Sequence, residues 1–165
     1  MARVESIGHA GFTVMDMDRT LHFYCDLLGG KVLTQNVEEN DQLARQVMGE
    51  MAKDSHGKLK VTMVELGGLQ IEFHQYLIPK TEVAFHGDPS RAGSAHIAVN
   101  VDNIEEMYEK LKSEGVKFHT GVNDCVRDGE VVWKWVYARD PDNICCEIVQ
   151  LNKDSNYYKT TYMAQ

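Results

Sequence analysis

Nowhere does the chain approach the roughly 18 consecutive apolar residues that a membrane-spanning helix requires. Its opening residues, MARVESIGHAG, have neither an extended apolar stretch nor the small-residue cleavage pattern of a secretory leader. No membrane association is expected, and the sequence reads as that of a cytoplasmic protein. A surplus of positive charge is missing too. Against 25 Asp and Glu stand 17 Lys and Arg, a formal net charge of -8, so the chain lacks the basic stripe that displaces counterions from a phosphate backbone. Non-specific nucleic-acid binding is not expected. There is no CxxC pair: the four cysteines are Cys25, Cys125 and the adjacent Cys145 and Cys146. Neighbours in a strand point to opposite faces, so thiols in a reducing compartment are expected. HExxH is absent as well, and any metal centre must be assembled from residues far apart in the chain.

What is present is an ordinary globular composition, 43% hydrophobic and 25% charged over 165 residues, enough for one compact domain with a real core. The most informative residues are His9, Glu72, His96 and Glu147. The first two lie in IGHAGFTV and LQIEFHQY, the second two in SAHIAVNV and NICCEIVQ, so each half of the chain supplies one imidazole and one carboxylate from short extended segments. Imidazole nitrogen and carboxylate oxygen suit a divalent first-row ion such as Fe, Mn, Co, Ni or Zn. Two half-sites could make one metal centre.

The order of elements repeats. Residues 4–14 read as a strand, interrupted by Gly8 and Gly11. A helix follows Asp16 or Asp18, with Asp18 as its expected N-cap and Leu21, Tyr24, Leu27 and Leu28 as its apolar stripe, and Gly29-Gly30 ends it. Residues 31–37 read as a strand, and 59–66 and 69–77 as a hairpin turning at Gly67-Gly68. The first β-α-β-β-β module therefore spans 4–78, with an insert at 38–58 whose Leu43, Val47 and Met51 fit a short amphipathic helix. That insert serves as a cap on the sheet or as a wall beside the site.

The second module spans 93–151. A strand at 95–99 leads to a helix capped by Asp102 or Asn103, with Ile104, Met107, Tyr108 and Leu111 on its apolar face, and Gly115 stops it. Strands at 116–122, 131–138 and 143–151 complete it, the last two flanking the turn Asp140-Pro141-Asp142-Asn143. Residues 79–92 read as the linker, and 152–165 as a polar tail with three tyrosines.

On these segments, and specifically on His9 before MDMDRTLHFYCDLLGG, on GGLQIEFHQY, on AHIAVNVDNIEEMYEKLKSEGV and on YARDPDNICCEIVQ, the chain resembles the vicinal-oxygen-chelate superfamily, the glyoxalase, bleomycin-resistance and extradiol-dioxygenase group. The resemblance covers about residues 4–151. It implies an α+β fold in which two pseudo-symmetric β-α-β-β-β modules form an open cupped mixed sheet around a divalent metal, with His9, Glu72, His96 and Glu147 as ligands. DPDN replaces the family's usual DPDG, a small change because Asn also tolerates the left-handed region.

With all four ligands present the set resembles glyoxalase I and the methylmalonyl-CoA epimerases. It implies a lyase, isomerase or epimerase in which the metal stabilises an enediolate or enolate and Glu147 or Glu72 moves the proton. Two departures qualify this. Thr13 stands where glutathione-type members carry an arginine, and Lys60 and Val61 stand near the place of the epimerases' second glutamate. The main alternative is an extradiol-type dioxygenase with non-haem iron(II), in which His96 and Glu147 join His9 or His74 in a triad and Tyr137 lies in the active site. A small-molecule binding or resistance protein is a further alternative, although that reading fits a chain lacking part of the ligand set.

Other candidates surround these. His74 follows Glu72 by two and shares its strand face, so it can touch substrate, orient Glu72 or replace it as ligand. Trp133, Trp135 and Tyr137 recur at period two, as a core row or as an aromatic wall for a flat or sugar-like substrate. Arg45 and Arg127 are candidate anion contacts, and His22, His86 and His119 are expected to be structural or solvated. The expected partners are a small-molecule substrate and a second copy of the chain, since open sheets leave edges to cover and cyclic dimers are the commonest homo-oligomers.

Overall fold

The computed structural model describes residues 2–162. The chain forms two compact units, one ending at Ala84 and the other beginning at Phe85, a boundary inside the expected linker. Among the described residues no helix is long and apolar enough to cross a membrane.

The first unit contains β1 (Ala10–Thr13), α1 (Met17–Leu21), β2 (Lys31–Asn40), α2 (Leu43–Met48), β3 (Gly57–Leu66) and β4 (Leu69–Ile78). The sheet order is β1-β4-β3-β2, with β1 parallel to β4 and the other pairs antiparallel. Alternation on β4 decides which side does what. Ile71 and Phe73 are fully buried, and Phe73 packs on Tyr24 at 4.7 Å between ring centroids; Glu72 and His74 therefore project from the opposite, half-open face. The helical side holds Met17, Phe23, Tyr24 and Leu27, with α1 continuing as a π-helical segment His22–Leu27. Gly67 and Gly68 both have positive φ, 60° and 91°, as the tight turn between β3 and β4 requires.

The second unit repeats the plan: β5 (His96–Asn100), α3 (Ile104–Ser113), β6 (Lys117–Phe118), β7 (Asn123–Arg127), β8 (Glu130–Arg139), β9 (Cys145–Leu151) and α4 (Asn156–Tyr162). Its order is β5-β9-β8-β6, with β7 also on β8, and again the opening strand runs parallel to the last. Ile104 and Leu111 of α3 are buried, as are Val132, Val136, Ala138, Cys146 and Ile148 of the sheet. The buried Asp140 makes the β8–β9 turn, its Oδ1 accepting from the backbone N–H groups of Asp142 and Ile144 at 2.8 Å each. Asn143 adopts φ 66° there, the left-handed conformation that Asn tolerates in place of Gly.

Several boundaries differ from the sequence expectation. The first strand begins only at Ala10, and Val4 and Ile7 ahead of it are 87% and 86% exposed. Asp16, not Asp18, caps α1: its side chain accepts from the N–H groups of Asp18 and Arg19. In α2 the buried residue is Ala44, while Val47 and Met51 are exposed; the stripe Leu43/Val47/Met51 is not the packed face. The expected strand at 116–122 shortens to Lys117–Phe118, because Asn123 ties back to Thr120 and Gly121 and the unexpected β7 starts there. The polar tail is helical over Asn156–Tyr162, and residues 163–165 lie outside the described residues.

Candidate metal centre

Each unit presents the same pair of donor atoms. In the first, His9 Nε2 lies 3.3 Å from Glu72 Oε2; in the second, His96 Nε2 lies 3.3 Å from Glu147 Oε2. Backbone pairing produces the likeness. His9 stands immediately before β1, which runs parallel to β4 with Gly11 beside Glu72, and His96 opens β5, which runs parallel to β9 with Ala98 beside Glu147. In both, the imidazole arrives from two residues before a small residue on the opening strand and meets the carboxylate on the last.

These pairs suit a divalent ion. With metal–ligand bonds of about 2.1 Å, adjacent ligand atoms stand about 3.0–3.4 Å apart in octahedral or tetrahedral geometry, and both pairs have that spacing. The imidazoles keep 42% and 49% exposure while the carboxylates keep 23% and 18%, so both pairs lie on open faces rather than in the core. Among the described residues no group of three or more His, Cys, Asp or Glu forms a ready-made metal cage. Each unit by itself brings one imidazole and one carboxylate to this spacing.

The surroundings of the two carboxylates differ. Glu72 Oε2 also lies 2.8 Å from His74 Nε2, and Thr13 and Val61 flank His74 on the adjoining strands. Glu147 has a phenol beside it instead: Tyr137 is its register partner on β8. Burial, and then the Glu147 charge, push the Tyr137 hydroxyl above its ordinary value. The Tyr137 ring meets those of His96 and His119 at 5.6 Å each and that of Trp135 at 5.3 Å. Burial, then the Arg139 charge, lower the pKa of His119.

The aromatic row is not core. Val132, Val136 and Ala138 are buried on one side of β8, while Trp133, Trp135 and Tyr137 are half-buried on the other, the side of Glu147. Arg127 stacks over Trp133 at 5.9 Å, at the far end of the row from Glu147. His22 pairs with Asp26 on the surface, His86 accepts a hydrogen bond from the N–H of Asp88 in its own loop, and Arg45 is exposed. Arg139 escaped the sequence reading although it continues the period-two row. Its guanidinium donates to the carbonyls of Asn143 and Gly87, joining the turn after β8 to the segment ahead of β5.

Residues 6–148 match the model of the Glyoxalase/Bleomycin resistance protein/Dioxygenase superfamily. The chain belongs to this superfamily. Among curated proteins it is 31% identical over 149 residues to a lactoylglutathione lyase of Schizosaccharomyces pombe, covering 87% of this chain and 46% of that one. It is 27% identical over 161 residues to the metallothiol transferase FosB of Staphylococcus saprophyticus, covering 94% and 85%. The chain thus spans under half the length of the lyases first matched. Solved structures agree on the fold: a glyoxalase family protein from Bacillus cereus superposes with a TM-score of 0.75 at 18% identity, covering 91% of this chain and 96% of that one. The fosfomycin resistance protein FosX of Mesorhizobium loti gives 0.54 at 14%, covering 88% and 91%. The superfamily's α+β architecture is the one expected from the sequence.

Proposed function

We propose that His9, Glu72, His96 and Glu147 together hold one divalent metal ion, and that the protein is a glyoxalase-like lyase, isomerase or epimerase moving a proton next to a carbonyl on a small oxygenated metabolite. The observation that carries this reading is the repeated His Nε2–Glu Oε2 separation of 3.3 Å, once in each unit. A divalent ion, when bound, supplies Lewis-acid stabilisation of the negative charge that develops on the substrate oxygen. The proton itself falls to a carboxylate. Glu147 is the less encumbered of the two, with one imidazole at 3.3 Å and Tyr137 as its register partner, whereas His9 and His74 both approach one oxygen of Glu72.

The test is incubation of the metal-loaded protein, without oxygen, with α-hydroxycarbonyl and acyl substrates in deuterated water. Deuterium at the carbon next to the carbonyl, lost in Glu147→Gln or Glu72→Gln, supports the reading, and elemental analysis should give about one ion per site. Full metal occupancy in both His96→Ala and Glu147→Ala would overturn it. A lactoylglutathione lyase and a metallothiol transferase among the relatives make thiol adducts and thiol transfer part of the screen.

One observation favours a second reading. If His74 withholds Glu72 from the metal, His9, His96 and Glu147 remain as two imidazoles and one carboxylate, the ligand set of non-haem iron(II) oxygenases, with Tyr137 beside Glu147. Oxygen uptake with iron(II) and ring-cleaved catechol products would select it.

A further inference from the structure

The substrate class can be narrowed from the open face of the second unit. Glu147 lies opposite Tyr137 on β8. Trp135 follows on the same face, one side-chain step of about 7 Å along the strand, paired with Val149. Beyond it Trp133 is already engaged, with the ring of Tyr157 from α4 at 5.8 Å and the guanidinium of Arg127 at 5.9 Å. The row is therefore closed at its far end, bounded by the carboxylate at the near end, and half-open between. Aromatic faces favour offset or edge contacts with other rings, and the β8 side chain between Tyr137 and Trp133 on this face is Trp135.

We infer that Trp135, with Tyr137, is the specificity-determining surface of the site and seats a flat aromatic or conjugated substituent on the carbon next to the substrate's oxygen pair. The preferred substrate class is an aryl-substituted α-hydroxy or α-oxo carbonyl compound rather than its short aliphatic counterpart. On this face Trp135 is the next β8 side chain after Tyr137, the register partner of Glu147. This inference rests on the metal reading above and deepens it.

Lactate and mandelate separate the two ideas, because they present the same hydroxyl and carboxylate and differ in a methyl against a phenyl group. Zinc suits the measurement, being without redox chemistry. The zinc-loaded protein should bind mandelate about tenfold or more tightly than lactate by calorimetry. In Trp135→Leu that ratio should fall to about one, and in Trp135→Phe most of it should return. The chain has only two tryptophans, both in this row, so mandelate and not lactate should also shift the wild-type tryptophan emission, a readout that needs no variant to fold. Equal affinity for the two acids, a preference that survives Trp135→Leu, equally tight binding of the cyclohexyl analogue of mandelate, or mandelate binding without an emission change would each overturn the inference while zinc binding leaves the metal reading standing. Failure of zinc to bind, or to promote binding of either acid, overturns both.

Discussion

His74 Nε2 stands 2.8 Å from Glu72 Oε2, the same oxygen that His9 approaches at 3.3 Å. A side chain that holds a ligand from behind fixes its orientation, and losing such a partner commonly weakens metal binding about 10–100-fold. His74→Ala should therefore lower zinc affinity by about that factor in a chelator competition, and His74→Gln, which keeps a donor, should recover part of it. Unchanged affinity in His74→Ala would show that the contact does not orient Glu72. Complete loss of one ion per site would instead make His74 a ligand itself.

Gly30 ties α1 to the sheet. A Cβ there would stand 2.7 Å from the Tyr24 carbonyl oxygen and 2.9 Å from Val64 Cγ1, and both neighbours belong to the buried core. Neither backbone nor a fully buried valine gives way cheaply. Gly30→Ala should cost about 1–3 kcal/mol, the usual penalty of overpacking, measured by urea unfolding. Gly121→Ala, with nothing within 4 Å of the added carbon, serves as the contrast and should change stability by less than about 0.5 kcal/mol. Equal effects would show that the helix end is not packed this closely.

Where local chemistry decides, the sequence was legible. Alternation puts Ile71 and Phe73 on one face of β4 and Glu72 and His74 on the other, and the glycine pair at 67–68 permits one kind of turn. Asn103, one of the two candidates, caps α3. Where two local solutions compete, tertiary contacts chose. Asp16 and Asp18 can both cap, but only Asp16 has the extended backbone, φ -145° and ψ 109°, that a cap needs. In α2 the buried residue is Ala44 and not the larger Val47, and the start of this helix lies so close to β3 that a Cβ on Gly57 would sit 2.8 Å from the Ala44 nitrogen and 3.1 Å from Leu43 Cβ. The polar edge strand NDCVR carries no apolar alternation to announce it. The row at 133, 135 and 137 has the same period whether it faces core or solvent, and only the burial of Val132 and Val136 tells which.

His119 provides the pH dependence. Burial, then the Arg139 charge, hold its pKa below the ordinary histidine value, so the folded protein resists protonation that the unfolded chain accepts near pH 6.5. The sign follows from the protons bound: its contribution to stability is complete above about pH 6.5 and is lost as the pH falls from there through the lowered folded value. His119→Gln should flatten the fall in urea midpoint between pH 7 and 5 relative to the wild type, and the His119 ring protons should titrate below pH 6.5 by NMR. A midpoint at or above that value would reverse the sign and sink the prediction. Arg139→Gln should bring the His119 titration partway back.

The outer strand of the first sheet points to assembly. All ten residues of β2 are exposed, and Val32, Leu33 and Val37 keep 46%, 48% and 56% of their surface in solvent. In its own sheet β2 is an edge, paired only with β3, and a long edge with apolar side chains invites pairing unless charge or cover blocks it. Glu38 and Glu39 supply charge at one end, where Lys58 and His56 meet Glu39, but the stretch from Val32 to Val37 has no acidic or basic residue. A second copy is the simplest cover, and a two-fold arrangement would bury the same strand from both chains. Light scattering at micromolar concentration should give a dimer, and Val37→Lys combined with Leu33→Lys should shift it to monomer while leaving the circular dichroism spectrum unchanged. A wild-type monomer across that range would remove the dimer, and a dimer indifferent to both substitutions would move its interface away from β2.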